Sequence, residues 1–315
     1  MRVVPRASAL NERIIQDANA AFSIPGSVVF EEGKGGLPVC KLTHKNGGTA
    51  EVYLFGACVT SWCQPSGDEV LFVRPDAVWD KSKPISGGIP ICFPRFGPSP
   101  EMQQHGFARN VDWVVCSSSA DPNPDDPEPS VMFKLKDNDY TREMWDVGFE
   151  ATYEVTLRRD KLKIEFCVRN PPGAEKPIDF TAAVHTYIEV VDAASPECLV
   201  RGLKGKRYID KAIDTDNLAP EPCAGDVTFG TGLIDRVFQE TEPEALLHVG
   251  TGAAVSVENT RGWTDTVVWN PHETLDKEGT WKKFVCVESA AISSKVTLDP
   301  EKVWRAETNL CVIDL

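Results

Sequence analysis

The sequence predicts an all-β protein built as a large antiparallel β-sandwich. Short runs in which apolar and polar residues alternate recur along the chain, and turn-forming residues separate them. Segments with helical periodicity are almost absent, so few helices are available to cover a parallel sheet. At 315 residues the chain is long enough for two domains, but sandwiches of this size often fold as one. We therefore expect a single domain over residues 1–315.

The clearest strand signal is a hairpin predicted over residues 151–170. Apolar and polar residues alternate on both sides of a polar turn at residues 159–161. Such alternation is typical of an antiparallel pair with one buried face and one solvated face. The apolar residues of the common face are Tyr153, Val155, Leu157, Leu162, Ile164, Phe166 and Val168.

Six further runs have the same strand-like composition, and one segment is predicted to be helical. The helix is expected over residues 10–22, and turn-rich loops are expected over 120–130 and 170–177. Neither loop is long enough to link two domains. The strand-like runs span residues 50–62, 131–136, 180–190, 265–270, 284–289 and 303–308.

The charge of the chain limits its partners. Lysine and arginine number 33 and aspartate and glutamate 47, which gives a formal net charge of −14. This excess of acid argues against nucleic acid or an anionic membrane as the main partner. No apolar run approaches the roughly 20 residues that a membrane-spanning helix needs.

The cysteines and the first residues indicate an intracellular protein. The ten cysteines are scattered without a C-x-x-C pair, in a chain that needs no disulfides to fold, so we expect reduced thiols. The start of the chain has no apolar signal-peptide core. We predict a cytosolic protein, although the two arginines among the first six residues leave import into an organelle open.

The segment 81–110 differs from its surroundings in backbone composition and in charge. Between residues 84 and 100, eight of 17 positions are Gly or Pro, which favours irregular backbone over a strand ladder. A solvated surface loop and an anion-binding loop both explain the charge, but the apolar residues should order the loop and favour binding. Apart from Glu101, the charged residues from 81 to 109 are all basic: Lys81, Lys83, Arg95 and Arg109.

Glu288 interrupts a strand that is otherwise apolar. From Phe284 to Ile292 the run holds apolar or small residues apart from this one carboxylate. Burying an uncompensated carboxylate is costly and raises its pKa. The position of Glu288 therefore indicates a role beyond packing.

His185 is a second candidate, in the strand predicted over residues 180–190. Alternation places it on the same face as Thr181, Ala183 and Tyr187, opposite the face that carries Phe180, Ala182, Val184 and Ile188. Small and polar neighbours are what the wall of a pocket requires. A hydrogen-bonded structural histidine explains the same pattern, so the residues alone leave both readings open.

Five sequence blocks resemble one enzyme family. In order they are KPISGGIPICFPRFG, QQHGFARNVDW, AAVHTYIEV, GLIDRVF and VCVESA. Together they resemble the hexose-6-phosphate mutarotases, also called glucose-6-phosphate 1-epimerases, within the wider aldose 1-epimerase group. The resemblance covers residues 25–312, and the series of five blocks is far more specific than any one of them.

The resemblance implies a galactose mutarotase-like supersandwich that interconverts the α and β anomers of a hexose 6-phosphate. It implies no metal and no cofactor, a small-molecule partner, and a monomer. His185 matches the family's catalytic histidine and Glu288 its catalytic glutamate. The positions that match or adjoin substrate contacts are Gln104, His105, Arg109 and Asp235.

One position departs from the family pattern. Some relatives carry an arginine that contacts phosphate in the block KP-x-x-GG, where this chain has Ser86. Arg95 is the first candidate to replace that charge and Lys83 the second. A guanidinium suits phosphate because its fork donates two parallel hydrogen bonds.

Anomer interconversion requires a base and an acid at the anomeric centre, which we expect to face each other across the sugar. Glu288 is expected to be the base and His185 the acid. Partial desolvation should raise the basicity of Glu288, while Arg109 or a sugar hydroxyl keeps it ionised.

Other functional classes fit less of the sequence. An aldose 1-epimerase for unphosphorylated sugars is favoured by Ser86, and a sugar-phosphate-binding protein without activity would need neither catalytic residue. The five histidines show no spacing typical of a metal site. A glycosidase would need two carboxylates across the scissile bond, such as Asp235 and Glu288.

Overall fold

The computed structural model describes residues 8–120, 126–275 and 278–315. The first six residues and the centre of the loop at 120–130, both discussed above, lie outside the described residues. The described strands are β1 (Val28–Glu32), β2 (Pro38–Thr43), β3 (Thr49–Tyr53), β4 (Cys58–Cys63), β5 (Ile91–Cys92), β6 (Val114–Ser119), β7 (Ser130–Lys136), β8 (Glu150–Leu157), β9 (Lys161–Arg169), β10 (Ile178–Val184), β11 (Tyr187–Glu189), β12 (Leu199–Arg201), β13 (Tyr208–Asp210), β14 (Val227–Thr228), β15 (Ile234–Phe238), β16 (Glu244–His248), β17 (Ala253–Arg261), β18 (Asp265–Asn270), β19 (Phe284–Leu298) and β20 (Val303–Asp314).

These strands form three antiparallel sheets, which confirms the predicted all-β class. A four-stranded sheet has the order β1-β2-β3-β4. A seven-stranded sheet has the order β13-β15-β18-β19-β10-β5, with β11 also paired to β19. A nine-stranded sheet has the order β14-β12-β16-β17-β20-β9-β8-β7-β6.

The hairpin predicted over residues 151–170 is confirmed as β8 and β9. Buried and partly exposed residues alternate along both strands, and Leu157 pairs with Leu162 next to the turn. The backbone N–H of Arg158 donates to the carbonyl of Lys161 and closes that turn at 2.9 Å. One face of the hairpin therefore joins the core, as the alternation indicated.

The main core lies between the seven-stranded and nine-stranded sheets. Phe180 of β10 meets Trp304 of β20 with ring centroids 5.4 Å apart, and Trp304 also contacts Phe166 of β9. The hydroxyl of Ser289 in β19 donates to the hydroxyl of Thr308 in β20 at 3.0 Å, inside the same interface. Because one face of β19 fills this core, its other face is free to carry a site.

Helices are few in the part of the chain that the structure describes. The expected helix is confirmed as α1 (Ala9–Phe22), which begins where the Ser8 side chain accepts a hydrogen bond from the N–H of Asn11. A second, unpredicted helix, α2 (Asp139–Met144), starts with a reciprocal capping box between Asn138 and Thr141. Neither of these helices has the length and apolar character to cross a membrane.

Candidate active site

The candidate site lies on the outer face of the seven-stranded sheet. In β19, Val287 and Ser289 face the core between the sheets, so alternation turns Glu288 to the opposite side. Glu288 is nonetheless only 1% exposed, because loops and neighbouring side chains cover this face. The carboxylate in the apolar strand is thus a buried group that faces a cleft and not the main core.

His185 lies directly opposite Glu288 on the neighbouring strand. Val184 of β10 pairs with Ser289, and Tyr187 of β11 pairs with Cys286, which places His185 across from Glu288 in the short break between β10 and β11. The Nε2 atom of His185 lies 3.4 Å from Oε1 of Glu288. Two blocks that are distant in the sequence therefore meet as cross-strand neighbours.

This contact differs from the arrangement expected from the sequence. The base and the acid were expected to face each other across the sugar, but His185 and Glu288 lie side by side and approach a substrate from the same side. Side-by-side groups suit the reaction, because the two oxygens that exchange protons during ring opening are bonded to the same anomeric carbon.

Aromatic rings hold the imidazole of His185 in place. The ring of Tyr187 stacks on it almost in parallel, with centroids 4.7 Å apart and planes 14° apart. Trp269 and His105 meet it edge to face at 5.6 Å and 5.7 Å. The ring therefore has little freedom to rotate away from Glu288.

The segment 81–110 is anchored to the sheet beneath this site. Its strand β5 pairs with β10, and most of its apolar residues are fully buried, for example Phe93 and Phe107. Gly106 has a φ of +75°, and a Cβ there would collide with the carbonyl of Phe93, so only glycine permits this close approach. The apolar residues order the loop as expected, and the loop forms one wall of the cleft.

Gln104, His105 and Arg109 form a connected group on this wall. The guanidinium Nη2 of Arg109 donates to the carbonyl of Gln104 at 2.9 Å. The N–H of Gly97 donates to Nδ1 of His105 at 3.2 Å, which leaves Nε2 of this neutral ring to carry the proton. The Nε2 atom of His105 lies 3.3 Å from Nε2 of Gln104. The nitrogen and oxygen of a side-chain amide can be exchanged by a half-turn, so Gln104 can accept the His105 proton here.

These side chains line a cleft of about 650 Å³, which is large enough for a phosphorylated sugar. Lys83 and Arg95, the sequence candidates for phosphate, are not among the described residues that line it. The residues predicted from the sequence that do line it are Ser86, Gln104, His105, Arg109, His185, Asp235 and Glu288.

Sequence reasoning missed two cations of the cleft, Arg74 and Lys211. Arg74 follows a short apolar run outside the segment rich in basic residues, and Lys211 follows β13 in a region without a recognisable motif. Lys211 places its Nζ atom 4.9 Å from the centre of the Phe96 ring. Only the fold brings these two charges to the cleft.

Burial shifts the pKa values of the central pair in opposite directions. Burial raises the pKa of Glu288 well above its usual range, and the charge of Asp235 adds to this, while Lys211 and Arg109 oppose it. Burial, followed by the charge of Arg109, lowers the pKa of His185 to about 3. Both shifts favour the neutral form of each group.

Arg109 does lower the pKa of Glu288, in the expected direction, but burial outweighs the nearby positive charges and the net shift is upward. Burial lowers the pKa of His105 to about 2, with the charge of Arg109 as the next contribution, so His105 is also neutral. Burial raises the pKa of Asp235 as well, with Lys211 opposing and Asp210 adding to the rise.

Three buried polar atoms of this group have no hydrogen-bond partner among the described residues. They are Nδ1 of His185, Oε2 of Glu288 and Nε of Arg109. Buried polar groups in folded proteins are nearly always paired, and exceptions concentrate where a ligand supplies the partner. An arrangement of one acceptor, one donor and one titratable ring suits the hydroxyl groups of a sugar.

Comparison with known proteins identifies the family. The profile of the aldose 1-epimerase family matches residues 38–311, which is most of the chain. The chain therefore belongs to the aldose 1-epimerase family, as the sequence blocks indicated.

Two individual relatives are similar to this chain over most of its length. A protein of Cenchrus ciliaris with the provisional name glucose-6-phosphate 1-epimerase is 31% identical over 275 residues, covering 84% of this chain and 81% of that protein. A Salmonella typhimurium protein with the same provisional name is 29% identical and covers 84% of this chain and 86% of its own.

Solved structures show the same fold. A provisionally named mutarotase of Salmonella typhimurium superposes with a TM-score of 0.79 at 26% identity, over 96% of this chain and 100% of that one. A galactose mutarotase-like protein of Clostridium acetobutylicum gives a TM-score of 0.73 at 18% identity, over 91% of this chain and 98% of its own. The galactose mutarotase-like fold is thereby confirmed.

Proposed function

We propose that this protein interconverts the α and β anomers of glucose 6-phosphate and similar hexose 6-phosphates. The observation that carries the proposal is the contact between His185 and Glu288, two buried groups that line a sugar-sized cleft. Membership of the aldose 1-epimerase family supports the same reaction.

Ring opening needs one proton removed and one supplied. The proton of the C1 hydroxyl leaves to one group, the bond between C1 and the ring oxygen breaks as the C1 carbonyl forms, and the other group protonates the ring oxygen. With both groups starting in the neutral form that burial favours, Glu288 is the acid and His185 the base, the reverse of the order expected from the sequence. Rotation about the C1–C2 bond then exposes the other face of the aldehyde.

Ring closure uses the same two groups in the opposite order. His185 returns its proton to the carbonyl oxygen, and Glu288 takes the proton of the attacking hydroxyl, so the pair recovers its starting state without exchange with solvent. Each well-placed acid or base typically contributes about 10²–10⁴ in rate, which is enough to accelerate a reaction that already proceeds slowly in water.

The charges of the cleft support a phosphorylated substrate. Arg74, Arg109 and Lys211 all line it and outnumber its two aspartates, Asp216 and Asp235, although the chain as a whole carries a formal charge of −14. Cations concentrated in one cleft of an acidic protein favour binding of a small anion. The provisional names of the relatives from Cenchrus ciliaris and Salmonella typhimurium refer to glucose 6-phosphate and agree with this substrate.

A second candidate is the same reaction on unphosphorylated aldoses. The observation that favours it is Ser86, which lines the cleft where some relatives carry a phosphate-binding arginine. The two candidates differ only in whether the phosphate contributes to kcat/KM.

Exchange between the anomers, followed by NMR on equilibrated sugar, tests both candidates. We expect catalysed exchange of glucose 6-phosphate with a kcat/KM above that for glucose. A higher kcat/KM for glucose would favour the second candidate. Binding of glucose 6-phosphate without faster exchange would contradict both.

A further inference from the structure

Three cations line the cleft, and their contacts divide them into two groups. In the pyranose form of a hexose 6-phosphate, C6 is bonded to C5, which adjoins the ring oxygen, so the phosphate extends from the ring as an exocyclic arm. The cation that binds the phosphate therefore need not contact the groups that react at C1. Arg109 and Lys211 have contacts around the catalytic pair, and Arg74 has its contacts elsewhere.

Arg109 and Lys211 belong to the catalytic end. Arg109 is hydrogen-bonded to the carbonyl of Gln104. The next residue, His105, contacts the ring of His185. Lys211 follows β13, and its backbone N–H donates to the carbonyl of Asp235 at 2.7 Å. Both charges also oppose the burial-driven rise in the pKa of Glu288, and Arg74 is not among the charges that do so.

Arg74 lies on a different wall, beside the glycines of the segment 81–110. Its backbone N–H donates to the carbonyl of Ser86 at 2.9 Å, and Val73 and Gly87 form an isolated antiparallel bridge. A Cβ at Gly87 would collide with the backbone of Val73, so glycine is what allows this segment to approach. Arg74 and Ser86 are therefore direct neighbours on two adjacent backbone segments.

A neighbouring carboxylate holds the guanidinium of Arg74 in one orientation. Its Nε donates to Oδ1 of Asp76 at 2.9 Å, and its Nη2 donates to Oδ2 at 2.6 Å. The side chain of Arg74 is 21% exposed, whereas that of Asp76 is 65% exposed on the solvent side. This bidentate contact fixes the plane of the fork, and Nη1 has no carboxylate partner among the described residues.

We propose that Arg74, oriented by Asp76, binds the 6-phosphate and sets the preference of the enzyme for phosphorylated hexoses. This inference rests on the proposed function. Arg74 supplies the positive charge that is missing at Ser86, its neighbour on the adjacent backbone segment. Lys83 and Arg95, the candidates from the sequence, do not line the cleft. Phosphate binding through a preorganised guanidinium costs less side-chain entropy than binding through a free one.

The test compares Arg74→Met with wild-type enzyme on two substrates. Loss of a charge-assisted contact should raise KM for glucose 6-phosphate about 10- to 100-fold, with kcat nearly unchanged. The kcat/KM for glucose should fall less than about threefold, since glucose has no phosphate to contact Arg74. Inorganic phosphate should also inhibit the wild-type enzyme competitively and the variant much less.

A matched control is Arg159→Met. Arg159 is likewise held by one aspartate, with Nε and Nη2 donating to Asp126 at 3.2 Å and 2.8 Å, but it does not line the cleft. This variant should keep the wild-type KM for both substrates. Asp76→Asn should raise KM for glucose 6-phosphate by less than Arg74→Met does, because it loosens the guanidinium without removing its charge.

Several outcomes overturn the proposal. An unchanged KM for glucose 6-phosphate in Arg74→Met would overturn it. An equal fall in kcat/KM for glucose 6-phosphate and glucose would also overturn it, because Arg74 would then have a general structural role. A higher KM for glucose 6-phosphate in Arg95→Met but not in Arg74→Met would show that Arg95, the candidate from the sequence, binds the phosphate. Failure of the proposed function is distinct, because wild-type enzyme would then turn over neither substrate, while phosphate binding by Arg74 would still appear in calorimetric titration with inorganic phosphate.

Discussion

At the scale of single residues, the proposed catalysis depends on two groups whose pKa values are shifted away from those they have in water. Burial on the outer face of the seven-stranded sheet raises the pKa of Glu288 and lowers that of His185, which favours the neutral form of both. A neutral pair is not stabilised by a salt bridge in the ordinary sense, so the contact does not offset the cost of burial. In the proposed mechanism both groups are used, because each exchanges one proton with the sugar.

The shift of His185 makes stability depend on pH in a defined direction. Its pKa falls from the ordinary 6.5 to about 3, so the unfolded chain takes up a proton that the folded chain does not. The contribution to stability is present above about pH 6.5 and is lost as the pH falls toward 3. Between about pH 7.5 and pH 5, wild-type protein should lose about 2 kcal/mol more unfolding free energy than His185→Asn.

Urea unfolding of both proteins at the two pH values measures this difference. The remaining titrating groups, Glu288 and His105 included, are present in both proteins and largely cancel. Equal losses in wild type and His185→Asn would show that the imidazole is not held neutral by burial.

The sequence predicts part of the site at this scale. His185 and Glu288 are recognisable from their motifs, and the apolar run around Glu288 correctly indicates a desolvated carboxylate. Their contact, and the proton order that follows from it, depend on the pairing of β10 and β11 with β19, which no local pattern specifies. Arg74 escapes prediction for the same reason, because its place in the cleft depends on a bridge between two irregular segments.

At the scale of elements, β19 is the strand on which the site depends, and a buried carboxylate fixes its course. Asp265 at the start of β18 is fully buried. Its Oδ2 accepts hydrogen bonds from the N–H groups of Ile292 and Ser293, both at 2.8 Å, and its Oδ1 accepts from the Ser293 hydroxyl. These bonds lie where β19 bulges against β10, a few residues beyond Glu288.

Removing this carboxylate should loosen the catalytic strand. Asp265→Ala removes the buried acceptor of two N–H groups and one hydroxyl, so we expect a loss of about 3 kcal/mol in unfolding free energy and about a tenfold drop in kcat through displacement of Glu288. Asp265→Asn, which keeps one acceptor oxygen, should retain more of both. Urea unfolding and NMR exchange measure the two effects, and an Asp265→Ala protein with wild-type stability would contradict this role for Asp265.

Elements with strict periodicity are predictable, and interrupted ones are not. The hairpin of β8 and β9 and the helix α1 follow from alternation and capping. The strand expected over residues 180–190 is instead broken at His185 and Thr186 into β10 and β11. The break follows from tertiary hydrogen bonds, such as the N–H of His185 to the carbonyl of Pro90, that local sequence does not encode.

At the scale of the whole molecule, a core between two large sheets leaves the outer face of one sheet for chemistry. The predicted class, all-β and antiparallel, is confirmed, since it rests on periodicity repeated along the chain. The division into three sheets was beyond prediction, because strand order is set by contacts between distant segments. A single domain over residues 1–315, a monomeric state and a cytosolic location stay predictions.

The most direct test of the account is the rate of anomer exchange of glucose 6-phosphate, measured by NMR for Glu288→Gln and His185→Asn. Glu189→Gln, an exposed glutamate of β11 that does not line the cleft, is the matched control and should keep the wild-type rate. We expect each of the two site variants, still folded by circular dichroism, to lose at least about 10²-fold in kcat. Wild-type exchange rates in both folded variants would contradict it.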